Sequence, residues 1–172
     1  MPTPAPEPVQ REVVIAVSGD SSVTRSAPDS PAEALTSLPL GGESGAVAVL
    51  TFEVDGVGEG AIVDARLVLA GMGDTAGVGG NLVSLPGISL DESSTTWNDV
   101  ASLGGQNAGW VEWIQPGVDT SIDVTGTVAS DGVITFVIEG TPEQTVAIAS
   151  GESGAPAYLL LTIEAPSVGL AP

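Results

Sequence analysis

Carboxylates are the only abundant side chains here that could do acid–base or metal chemistry: Asp and Glu total 22, against 3 Lys plus Arg, 0 His and 0 Cys. The three bases are Arg11, Arg25 and Arg66, so a Ser–His–Asp, Cys–His or Ser–Lys arrangement has no parts to be built from. Glycosidases need only two carboxyl groups, set roughly 5 to 10 Å apart across a cleft. Asp91, Glu92, Asp99 and Asp123 could supply such a pair, but among 22 acids some pair always looks suitable, and no catalytic residue is assigned.

Calcium is a better use for acids without bases, because a hard cation takes carboxylate and carbonyl oxygens. The candidate ligands are Asp20, Asp29, Asp91, Asp99, Asp123 and Glu152. Their spacing follows neither an EF-hand nor a nonapeptide repeat, so the competing reading is of solvated surface acids, with Asp123, Thr125 and Glu152 anchoring turns. A structural calcium is the one cofactor considered.

Sugar binding relies on amphipathic rings with a polar tip, and Trp110, Trp113 and Tyr158 are the candidate ligand-binding platforms. Trp110 and Trp113 stand three apart, which on a strand sends one to the core and the other to solvent. Trp97 is assigned to the core.

The formal net charge of -19 argues against nucleic acid and anionic membranes as partners. Binding a phosphate backbone or an anionic membrane takes a cluster of cations, and there is none. An acidic polysaccharide would be repelled by the same field. No apolar run approaches the roughly 18 residues of a membrane-spanning helix, which argues against membrane insertion. Met1 to Pro8 carries neither the basic nor the apolar region of a signal peptide.

The elements that position these residues are strands. Val133 to Ile138 alternates, with Ile134, Phe136 and Ile138 on one face; Thr145 to Ser150 follows a turn at Gly140 to Glu143. Ala157 to Ile163 is too apolar for an exposed strand and belongs at the centre of a sheet or under cover on both faces. Earlier strands are Glu12 to Val17, Ala46 to Val54 and Ala61 to Ala70, with shorter ones near Leu82 to Leu85, Trp110 to Ile114 and Ser121 to Thr125. Prolines between residues 28 and 39 mark loop and edge. Helical spacing is confined to one turn at Val124 to Val128. The fold class is therefore all-β, a single domain of two packed antiparallel sheets. Its bounds are a Pro-rich leader or arm at 1–11, a β-sandwich at 12–165 and a tail at 166–172.

Several passages then line up in order. Asp20-Ser21-Ser22-Val23, Ala48 to Val54, Ala61 to Leu69, Glu92 to Asn98, Ile122 to Thr125, and Ala149 to Glu152 with Pro156 and Leu159 together resemble the DNRLRE-type domains, related to carbohydrate-binding module family 96. That resemblance implies an extracellular, jelly-roll-like β-sandwich. The chain departs from the pattern at Leu90, where relatives carry an aromatic, and at Gly151, where they carry Arg.

The reading that follows is a non-catalytic extracellular or surface-displayed module with a structural or adhesive role. The alternatives are a carbohydrate-binding module for a neutral glycan, and a self-assembling subunit of a surface filament or virus particle. In the last case the N-terminal arm would join copies of the chain by strand addition.

Overall fold

Extended strands make up about half of the computed structural model, which describes residues 7–33 and 35–166. In chain order the strands are β1 (Gln10–Ala16), β2 (Gly19–Thr24), β3 (Ser37–Gly41), β4 (Ala46–Val54), β5 (Ala61–Met72) and β6 (Gly80–Pro86). A short helix, α1 (Trp97–Leu103), precedes β7 (Gln106–Val111), β8 (Asp119–Asp123), β9 (Gly132–Glu139), β10 (Thr145–Ala149) and β11 (Tyr158–Glu164). Most of the Pro-rich leader and nearly all of the tail lie outside the described residues.

Two antiparallel layers face each other. One runs β1-β11-β5-β8 and the other β7-β6-β9-β4-β2. β3 and β10 form a ribbon that bridges them: β10 bonds β5 at Gly71 and Met72, and β3 meets β4 at Gly41. The chain is all-β and sandwich-like, as its alternation implied.

Between the layers lies the main core. Ala65, Leu67 and Leu69 of β5 and Leu159, Leu161 and Ile163 of β11 meet Leu50 and Phe52 of β4 and Ile134, Phe136 and Ile138 of β9. Phe52 and Phe136 pack edge to face with ring centroids 6.1 Å apart, the arrangement that ring quadrupoles favour. The expected central place of Ala157 to Ile163 is found, since β11 is flanked by β1 and β5.

The two outer faces differ. β4 reads Ala-Val-Ala-Val-Leu-Thr-Phe, apolar on both sides, and needs cover on both. A second cluster supplies it: Val23, Val47, Val49, Leu85 and Val137 face outward and pack beneath Ala32, Val100 and the partly buried Trp97. Beneath the loop that follows β6, Thr51 Oγ1 lies 2.9 Å from Thr135 Oγ1, which donates to the Ile88 carbonyl at 2.7 Å. This sheet is the covered one. The other is bare, with exposed Val14 and Val63 on β1 and β5.

Several elements depart from the sequence-based expectation, and β2 is not among the expected strands. β3 is a strand although it contains Pro39, because on its β4 side only Gly41 is paired and the proline interrupts no ladder there. The strand expected at Trp110 to Ile114 ends instead at Val111. Helix α1 was not expected, and a capping box starts it: Thr96 Oγ1 accepts from Asp99 N–H while the Asp99 carboxylate accepts from Thr96 N–H. Gly104, at φ 71, ends it.

Candidate functional site

The six aromatic residues divide into three groups by position. Phe52 and Phe136 fill the main core. Trp97 belongs to the outer cluster rather than the central core, with the Arg25 guanidinium 4.8 Å above its ring. Trp110, Trp113 and Tyr158 are at the surface, the two indoles 51% and 53% exposed.

Neither Trp110 nor Trp113 enters the core, which corrects the expectation that strand geometry would bury one. Residues 112 and 113 are not strand, and buried Val111 and Ile114 anchor the segment from both ends. Gly79 N–H donates to Val111 O, and Gly77 pairs with Ile114. With the inward positions three apart, the simple alternation of an extended strand no longer holds. Tyr158 lies on the bare sheet, paired with Val68 and Ala16, so it is on the opposite side of the sandwich from Trp110.

Register gives Trp110 its neighbours. Trp110 pairs with Asn81 on β6, and Asn81 pairs with Glu139 on β9. Paired residues point to the same face, so Glu139, Asn81 and Trp110 form one row across the outside of the covered sheet, spanning two strand spacings, about 10 Å. Asn81 Nδ2 donates to Glu139 Oε2 at 3.3 Å, and Arg25 Nη2 lies 3.2 Å from Glu139 Oε1. Gly80 allows the close approach of β6 and β9: its φ is 109, and a Cβ there would sit 2.1 Å from Glu139 O.

Beside this row runs a groove of about 330 Å³. Val83 and Val137 floor it, Trp97, Val100 and Ala101 of α1 wall it, and Glu139 stands at its rim. Asn107, paired with Val83, continues the face on the edge strand β7.

Of the acids named as metal ligands, Asp20 and Glu152 stand near each other and the others are held in separate contacts. Asp91 accepts from Ser93 and Ser94, and those hydrogen bonds, the Ser93 hydroxyl first, hold its pKa below the usual value. Asp99 is lowered in the same way by Thr96, and Asp123 by Thr125. Asp29 accepts from Asn98 Nδ2 at 2.7 Å, fastening the loop after β2 to α1. Asp20 is buried, and burial pushes its pKa up to about 6, against the Gly151 N–H that donates to it. Glu152 is exposed. Among the described residues no three acids gather into a metal-binding group.

Sequence motifs far apart in the chain meet at Asp20. Its N–H donates to Glu92 Oε1 at 2.8 Å, and its carboxylate accepts from Gly151 N–H. On the bare sheet, Thr125 Oγ1 accepts from Ala65 N–H at 3.0 Å and donates to Asp123 at 2.6 Å. Residues 16–163 match carbohydrate-binding module family 96. The chain belongs to that family. Among curated proteins no match is found. In this member of family 96 the Asp20–Glu92 and Asp123–Thr125 contacts are stitches between strands and loops. The row Glu139–Asn81–Trp110 lies apart from them. Trp110 is one of the platforms that the sequence singles out; Asn81 and Glu139 are not, because the pairing that brings the three together lies in no single strand.

Proposed function

We propose that the chain is a non-catalytic module that binds a neutral glycan on the outer face of its covered sheet. The observation that carries this is Trp110 in one row with Asn81 and Glu139. An exposed indole gives the C–H face of a sugar ring an apolar platform, and an amide and a carboxylate beside it take up hydroxyls. Membership of family 96 favours this over a purely structural role.

Charge supports the choice of a neutral ligand. Arg25 is held by Glu139 and Trp97, Arg66 pairs with Asp64 at 3.2 Å, and Arg11 donates to the Gly56 carbonyl. None faces the row as a free cation for a uronate, and the net charge of -19 opposes polyanions. An extracellular or cell-surface setting suits such a ligand.

Titration against a panel of neutral polysaccharides tests the reading. Trp110→Ala should weaken binding at least tenfold while melting as the wild type does, and Tyr158→Ala, on the far side, should change it less than twofold. Binding lost with Tyr158→Ala and kept with Trp110→Ala would move the site to the bare sheet.

A further inference from the structure

We infer that the groove between α1 and the covered sheet is a subsite for a single 6-deoxyhexose, a neutral sugar whose C6 is a methyl group. The inference rests on the neutral-glycan reading above and extends it from one row of residues to the adjoining depression. Asn81 and Val83 lie two apart on the outer face of β6, about 7 Å, so a glycan stacked on Trp110 and crossing Asn81 comes next to the groove floor.

Size and lining select the occupant. At about 330 Å³ the groove is at the small end for ligand sites, which run from about 300 to 1,000 Å³, and it suits one ring rather than a stretch of polymer. Val83, Val137, Leu85 and Val100 give the inner part no side-chain hydrogen-bonding group. A hydroxymethyl group turned inward would bury its hydroxyl unpaired, whereas a methyl group would lose nothing. Among the lining side chains only Glu139 and the Trp97 indole N–H are polar: Glu139 accepts hydroxyl hydrogens, and Gly104 and Gly105 follow a helix whose last carbonyls have no partner within the helix. Arg25 fixes the geometry by joining Trp97 to Glu139, each in contact with the same guanidinium.

Matched methyl glycosides that differ only at C6 test this on the whole chain: L-fucoside against L-galactoside, and L-rhamnoside against L-mannoside. In ¹⁵N spectra the deoxy member of at least one pair should shift the amides of Val83, Val137, Gly104 and Gly105 and bind about tenfold tighter, the scale on which an apolar pocket discriminates small groups. Ala101→Leu fills the groove from an exposed helical position; it should abolish that preference and leave binding of fully hydroxylated glycans, which depends on Trp110, unchanged. Equal affinity within both pairs, or shifts confined to residues away from the groove, overturns the subsite. If glycans bind through Trp110 without any such preference, the subsite alone is lost. If no neutral glycan binds the wild type, both proposals fall.

Discussion

The N–H of Gly151 donates to the carboxylate of Asp20 across 131 positions of sequence, and Asp20 N–H in turn donates to Glu92 Oε1 at 2.8 Å. Burial is the larger influence on Asp20 and raises its pKa to about 6, with Glu152 and Glu92 adding repulsion. A carboxyl group whose pKa is higher folded than unfolded binds the extra proton in the folded state. Its stabilising effect is full below about pH 4 and is lost as pH rises through 6. Asp20→Asn keeps an oxygen for Gly151 and cannot ionise. It should therefore be more stable than the wild type above pH 7, by about 1 to 3 kcal/mol, with the difference vanishing near pH 4. Urea unfolding of both proteins from pH 4 to 8 measures this; a difference independent of pH would show that Asp20 does not titrate in this range.

Gly151 occupies a position where relatives resembling this chain carry Arg. A Cβ there would lie 3.3 Å from Asp20 Oδ2, so a side chain would leave the backbone beside the carboxylate. Gly151→Arg should bring a cation to Asp20, Glu92 and Glu152, lower the Asp20 pKa and raise the melting temperature at pH 7.5. At pH 4, where Asp20 is protonated, most of the gain should disappear.

The capping box decides whether α1 stands over the covered sheet. Thr96→Ala removes the oxygen that accepts from Asp99 N–H and should cost about 1 kcal/mol by urea unfolding. Because α1 walls the groove, the amides of Val83 and Val137 should shift as well. Thr96→Ser, which keeps the hydroxyl, should restore both.

Chelation should leave the melting temperature where it is. Asp29, Asp91, Asp99 and Asp123 each accept a hydrogen bond from a nearby side chain, Asp20 accepts one from Gly151, and no three acids gather among the described residues. A melting temperature that falls by several degrees in EDTA and recovers with added Ca²⁺ would show a site that these contacts do not reveal.

Long alternating strands were legible because their period is short and repeats. Ala46 to Val54 has the bounds its sequence implied, and Val133 to Ile138 lies within β9. Helix α1 was not, since seven residues hold barely two turns of apolar spacing; Thr96 and Asp99, three apart, and Gly104 at its end were its local signals. β3 was hidden by Pro39, whose effect depends on which neighbour the strand pairs with. For the candidate site, residue type exposed Trp110, but its face depended on where β7 ends, and its partners Asn81 and Glu139 depended on the register of three strands. Long-range pairing of that kind has no local signature.

The double cover over β4 constrains how this chain can diverge. Of its nine positions only Glu53 is exposed, so almost every substitution along the strand presses on a neighbour above or below. Lineages of such a module would be expected to vary freely over the bare sheet, while β4 drifts only through compensated pairs of changes.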